Sequence, residues 1–212
     1  MVKMLLQHRA DPNAQDRRGW TPLHEAAFGR SAPVAQMLLS HGAEPNLLSV
    51  KNESPLLLAV KKNSIDVVEL LLRHGAHPDV VSYHGESPLQ KACLAGSTVM
   101  VKALTDSGAD PNMVVNGFHA LVHAALSGHE AIAEALLSAG ADANHRDKDS
   151  VPLLLRVAAA GLARIASLLL KHGARINECS KVRRELLNDC SHRRPVSGAG
   201  HSFALGMFQW QH

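Results

Sequence analysis

Fourteen histidines and three cysteines in 212 residues are the side chains best suited to hold a metal or to carry an acid-base or nucleophilic step. Their positions argue against both roles. His41, His74 and His172 each stand directly before a Gly-Ala pair, and His8 holds the same place before Arg9-Ala10, so their spacing is that of a structural period. Helix C-termini suit histidine, and a capping or solvent-facing role is the expectation for this group. His192, with Cys179 and Cys190, lacks the close-paired spacing of a zinc site. No Gly-rich phosphate loop, Ser-His-Asp arrangement or H-E-x-x-H motif appears. No catalytic residue, metal ligand or cofactor site is therefore expected.

The formal charge is +3, from 22 basic and 19 acidic side chains, without the strong basic excess of a protein held by phosphate contacts. Nucleic acid is not an expected partner. The cysteines have no paired spacing, and the chain opens on Met1-Val2-Lys3 without a secretory apolar stretch. Free thiols and a cytoplasmic or nuclear location are the expectation. Residues 153–170 are mostly Leu, Ala, Val and Ile, but Arg156 and Arg164 are costly in hydrocarbon, and Gly161 falls where two helices would meet. No membrane contact is expected.

The elements that place these side chains repeat. Gly42-Ala43, Gly75-Ala76, Gly108-Ala109, Gly140-Ala141 and Gly173-Ala174 follow at steps of 33, 33, 32 and 33 residues. Such a period marks a solenoid, whose units bury their apolar faces only against their neighbours. The clearest unit contains Asp16-Arg17-Arg18-Gly19-Trp20-Thr21-Pro22-Leu23-His24-Glu25-Ala26-Ala27, then Val34-Ala35-Gln36-Met37-Leu38-Leu39, then Gly42-Ala43-Glu44-Pro45-Asn46. Thr21 suits an N-cap and Pro22 the first helical position, Val34, Leu38 and Leu39 keep helical spacing, and Gly42 ends the second helix. This unit resembles the ankyrin repeat nearly letter by letter. The resemblance implies an all-α solenoid of stacked helix-turn-helix units with short β-hairpin fingers. It sets units at 16–48, 49–81, 82–114, 115–146 and 147–179. A second-half unit at 1–15 precedes them, and a degenerate half-unit or cap at 180–194 and a flexible tail at 195–212 follow.

Departures from the pattern carry expectations of their own. Arg30 and Asn63 hold inter-helix positions where the family prefers Gly, so Arg30 should pay for a left-handed conformation. Cys93 fills an alanine position and reads as a small buried hydrophobe. His119-Ala120-Leu121 and Pro152 replace Thr-Pro-Leu, so the fourth and fifth helix starts should be weaker. In the family the Thr and His of the tetrapeptide, present in full only at Thr21 to His24, brace neighbouring repeats. The 32-residue step removes one residue between Gly108 and Gly117, and that finger should be shorter or turned.

Ankyrin repeats bind proteins, so the expected function is a non-catalytic adaptor or scaffold, monomeric, binding an extended or helical segment of another protein. The alternative is a piece of a larger protein, such as a ubiquitin-ligase substrate receptor, a channel or a kinase. Residues the framework does not require are the candidates: Trp20, Glu53, Tyr83, Glu86 and Phe118 on the fingers, and Glu25, Leu58, Lys61, Lys62, Lys91, His123 and Arg156 on the first-helix face. The latter form a strip running from acidic to basic, suited to a partner with acidic groups toward the later repeats. The aromatics either anchor a partner or pack on neighbouring fingers. Asn13, Asn46, Asn112 and Asn144 are expected to close the turn into each finger. In the family, Leu104-Asp110-Asn112 and Leu136-Asp142-Asn144 also match the pattern accepted by an asparaginyl hydroxylase, which makes Asn112 and Asn144 modification candidates.

Overall fold

Thr21, Ser54 and Ser87 turn the chain from extended to helical by one device. Each hydroxyl accepts the backbone N–H three residues on, of His24, Leu57 and Gln90, and a proline at the first helical position supplies a preset φ. The computed structural model describes residues 2–146 and 151–175. Residues 180–212, with Cys190, His192 and the apolar tail, lie outside the described residues, as does Cys179.

Among the described residues, α1 (Val2–Gln7) precedes five helix pairs: α2 (Pro22–Phe28) with α3 (Ala32–Ser40), α4 (Pro55–Lys61) with α5 (Ile65–Arg73), α6 (Pro88–Leu94) with α7 (Thr98–Asp106), α8 (Ala120–Leu126) with α9 (Glu130–Ser138), and α10 (Leu153–Ala159) with α11 (Ala163–Lys171). The first helices α2, α4, α6, α8 and α10 pack side by side in one row, the second helices α3, α5, α7, α9 and α11 in another. The apolar stretch from Leu153 to Leu170 is thus two helices meeting at Gly161, whose φ is 71°. No helix of the described residues is long and apolar enough to cross a membrane.

The Gly-Ala ruler has a hydrogen-bonding cause. After α3, Ala43 N–H donates to Leu38 O at 3.0 Å and Gly42 N–H to Leu39 O at 3.1 Å, with Gly42 at φ 87°. This is a Schellman closure, which needs a left-handed residue and then buries the apolar one that follows; Ala43 is 6% exposed. The same bonds recur at Ala76, Ala109, Ala141 and Ala174. The first helices end likewise, and there Arg30 at φ 58° and Asn63 at φ 53° do what glycine does at 96, 128 and 161. Arg30→Gly is expected to raise the unfolding free energy by about 1 kcal/mol by removing the left-handed penalty of a Cβ. Chemical denaturation measures it, and an unchanged midpoint would count against the assigned strain.

Between the rows lies a column of leucines, Leu23, Leu56, Leu89, Leu121 and Leu154, each at most 8% exposed. Each contributes about 2 kcal/mol by leaving water. Beside it run Ala27, Val60, Cys93 and Ala125, small enough to let the helices approach. Cys93 is fully buried, and burial pushes its thiol up to about 12, so it sits in the column as a hydrophobe. The fourth and fifth starts, at His119 and Pro152, have no side-chain cap, as their sequences imply.

The fingers join successive pairs. In the first three, a three-residue tip is closed by Asp16 N–H to Trp20 O, Ser49 N–H to Glu53 O and Ser82 N–H to Glu86 O, at 2.9 to 3.0 Å. Neighbouring tips are tied by Val50 N–H to Arg18 O at 2.9 Å and Tyr83 N–H to Lys51 O at 3.0 Å. At the 32-residue step the finger becomes a two-residue hairpin. β1 (Val114–Val115) pairs antiparallel with β2 (Phe118–His119), and Asn116 and Gly117 turn between them at φ 52° and 71°. Both left-handed values fit the Asn-Gly turn that matches strand twist. The Asn116 side chain makes the link to the preceding tip, donating to His84 O at 3.2 Å and Gly85 O at 3.1 Å. A Cβ on residue 85 would fall 2.0 Å from Asn116 Nδ2, so that tip accepts only glycine.

Candidate interaction face

The first finger and α2 build a compact polar and aromatic cluster. Trp20, half-buried, has the Arg18 guanidinium 4.3 Å over its ring, Phe28 at 5.4 Å and His24 at 6.2 Å. Arg18 is also held by Asp16 at 2.9 Å and by Glu25 at 2.6 Å. The Trp20 N–H on its carboxylate, then Arg18, hold Asp16 below the usual carboxylate value. Beneath, His24 is fully buried. Thr21 N–H donates to its Nδ1 at 3.1 Å, so Nδ1 is an acceptor and the proton sits on Nε2, which donates to Glu53 O of the next finger at 3.1 Å. The tetrapeptide histidine thus braces one finger against the next. Burial pushes its basicity below the ordinary imidazole value, against smaller pulls from Glu53, Asp16 and Glu25.

Four charged candidates pair with one another. Lys61 reaches Glu53 at 2.8 Å and also Glu86, and Lys91 reaches the other oxygen of Glu86 at 2.6 Å. Burial raises Glu86, but Lys61 and Lys91 outweigh it and hold the carboxyl below its usual value. Burial likewise lowers Lys61, and its two carboxylates hold it above the usual value. This corrects the expected acidic-to-basic strip: Glu53 is 8% exposed, and the cations of Lys61 and Lys91 are already compensated. Leu58 needs a second correction. At 4% exposed it belongs to the core, because it sits where α4 packs against its row neighbours. Lys62 lies with its ammonium 3.8 Å from the Phe28 ring, Glu25 and Arg156 are exposed, and His123 is half-buried. Burial and then the charge of His129 lower His123.

The aromatics divide. Phe118 packs on the core and lies 5.1 Å from the His123 ring, and Trp20 packs likewise. Tyr83 is 77% exposed at its tip, beside Val50 on the preceding finger at 60%. Sequence reasoning passed over three further residues. Phe28, Leu94 and Leu126 occupy the same place on α2, α6 and α8 and are 44%, 51% and 48% exposed. Each lies three residues beyond a chosen candidate, Glu25, Lys91 or His123, and i,i+3 positions share a helix face, so the signal was available. The row is interrupted only in α4, where Lys61 stands.

The histidines before the Gly-Ala pairs are caps. The Nδ1–H groups of His8, His41 and His74 donate to Met4 O, Met37 O and Leu70 O at 2.8, 2.8 and 2.9 Å. His119 and His145 do come together, with ring centroids 3.8 Å apart, in a cleft lined also by Asn112 and Asp142. Imidazoles sharing a metal at about 2 Å per bond would need centroids roughly 5 Å apart, so this pair is a ring contact. No three His, Cys, Asp or Glu side chains of the described residues are grouped to hold an ion.

The asparagines do more than close their own turns. In the Asp-x-Asn group the acid closes the turn: Asp11, Asp110 and Asp142 each accept the N–H of the Asn two residues on at 2.9 Å. The Asn amide reaches across to the next repeat. Asn13, Asn46, Asn112 and Asn144 donate to Gly42, Gly75, Gly140 and Gly173 O at 3.1, 2.9, 3.0 and 3.2 Å. They accept from Glu44, His77, Asp142 and Arg175 N–H at 2.8, 2.8, 2.8 and 2.9 Å.

Comparison with known proteins agrees with this geometry. The family model for ankyrin repeats, in three copies, matches residues 1–82 and 56–147. No curated protein sequence matches the chain significantly. The crystal structure of an ankyrin repeat domain from Acinetobacter baumannii AYE superimposes with a TM-score of 0.73 at 31% identity, covering 82% of this chain and 91% of that one.

Proposed function

The chain belongs to the ankyrin-repeat family, whose members generally serve as protein–protein interaction modules, and from that premise we propose that it is a non-catalytic adaptor or scaffold. It binds a segment of another protein along the first-helix face and the finger tips. The observation that carries this reading is the exposed row Phe28, Leu94 and Leu126, apolar side chains that no packing within the fold requires. Exposed aromatic and aliphatic side chains in register make the centre of a binding patch, with the compensated Glu53, Lys61, Glu86 and Lys91 group as its polar floor.

Adjacent helices pack about 8–10 Å apart, and three residues of extended chain span about 10 Å. An extended segment with apolar side chains three apart therefore matches Leu94 and Leu126. Lys62, beside Phe28, and Tyr83, at its tip, border the row, and Trp20, Glu25, Phe118, His123 and Arg156 complete the surface around it. The units at 16–48, 49–81, 82–114, 115–146 and 147–179 stack as a monomer in the cytoplasm or nucleus, and the partner is neither nucleic acid nor membrane. Hydroxylation at Asn112 or Asn144 belongs to the same proposal and requires the amide clamp on Gly140 or Gly173 to open first.

The test is capture of partners from cells with wild-type chain and with a Leu94→Asp/Leu126→Asp variant. Proteins retained equally by both would remove the face from the account.

A further inference from the structure

Four of the five asparagine positions that clamp one repeat to the next make both bonds, and the fifth holds a different residue. Asp79 stands 33 residues after Asn46 and 33 before Asn112. Both of its oxygens accept Asp110 N–H, at 3.2 Å each, where the asparagines accept at 2.8 to 2.9 Å. A carboxylate has no hydrogen to give the Gly108 carbonyl, which occupies the place that Gly75 and Gly140 O occupy in the complete clamps. The charged side chain facing Asp79 across the joint is Asp110, itself turned to Asn112 N–H at 2.9 Å. On its own loop the near neighbour in sequence is His77, whose N–H is held by Asn46. Burial pushes the Asp79 carboxyl above its ordinary value, the Asp110 N–H pulls it back, and the Asp110 charge adds to the rise.

We propose that Asp79 makes the joint between the α4/α5 and α6/α7 pairs the adjustable one in the stack: ionised, it leaves the joint half clamped, and protonation or amide replacement completes the clamp. The placement matters because this joint separates Phe28 on α2 from Leu94 and Leu126 on α6 and α8. Bending there changes the distance between the two parts of the exposed row, so one array can fit partners whose anchors are spaced differently. Closing the joint in acid is a gain of native contacts. A carboxyl raised in the folded state binds its proton more tightly there than in the unfolded chain, so stability at this joint grows as pH falls through the raised value.

Amide hydrogen exchange at Asp110 and Asn112 in the full chain tests the proposal, with Asp79→Asn and the reciprocal Asn46→Asp as variants. Asp79→Asn is expected to slow exchange at this joint about tenfold at neutral pH, the value of one added hydrogen bond, with the ratio to wild type shrinking toward one in acid. Asn46→Asp should speed exchange at its own joint, read at His77, by a similar factor. Equal exchange of wild type and Asp79→Asn at neutral pH, or a ratio that stays constant as pH is lowered, would overturn the proposal.

Discussion

His24→Ala is expected to lower the unfolding free energy by about 3 kcal/mol, more than any exposed substitution in the array. The imidazole is fully buried, and its removal leaves a cavity beside Leu23. It also leaves Thr21 N–H without its acceptor and takes from Glu53 O the bond that ties the first finger to the second. Thr21 and His24 form a reciprocal capping box, so the α2 start loses its cap geometry at once. Urea or guanidinium denaturation measures the effect, and a loss below about 1 kcal/mol would mean that the brace is not coupled to stacking.

The same residue sets a pH dependence. Its folded value lies below the ordinary imidazole value of 6.5, so below that pH the unfolded chain binds more protons than the native one. Stability from His24 is therefore fully present above about 6.5 and falls as pH drops below it. A protonated ring would also point an N–H at the Thr21 N–H. His123 is shifted in the same direction and Asp79 in the opposite one, so the contribution of His24 is read as the difference between wild type and His24→Gln across the range. A difference that does not change with pH would contradict the neutral, Nε2-protonated assignment.

The second large effect is on binding. Leu94→Asp with Leu126→Asp places two charges in the centre of the exposed row, and loss of two central anchors costs about 2 kcal/mol each, roughly a thousandfold in affinity. The fold should not notice. Both side chains are about half exposed at the ends of their helices, where substitutions typically fall within about 0.5 kcal/mol. Val99, 62% exposed at the start of α7 in the second-helix row, supplies the control, since Val99→Asp adds a charge to the other row. Unchanged capture by the double variant, with the control also unchanged, would put the interface elsewhere.

Much of the fold can be read from residue spacing, for physical reasons particular to this chain. Gly-Ala pairs mark Schellman closures, Thr/Ser-Pro-Leu marks capped helix starts, and both are local, so a period of about 33 residues fixes each pair of helices before any tertiary contact is known. The shortened finger was legible as a missing residue. Its form followed from Asn116-Gly117 between Val114-Val115 and Phe118-His119, a hairpin signal in plain view.

Side-chain partnership was less legible. Glu53, Lys61, Glu86 and Lys91 look like four free charges in sequence because they lie up to 38 residues apart, yet stacking brings them into one chain of ion pairs. Leu58 reads as a surface residue by repeat position and is buried because α4 has first helices on both sides. The asparagines bond across some 29 residues, a reach invisible within one turn. Phe28, Leu94 and Leu126 were readable from i,i+3 spacing and hidden only by the habit of reading leucine as core.

The central claim is that recognition occurs on the first-helix row. A photo-crosslinking side chain placed singly at 94, 126 and 99 tests it most directly, with adducts identified by mass spectrometry from cells. The account predicts one shared partner crosslinked from 94 and 126 and none of it from 99. Crosslinking of a partner from 99, with 94 and 126 silent, would contradict it.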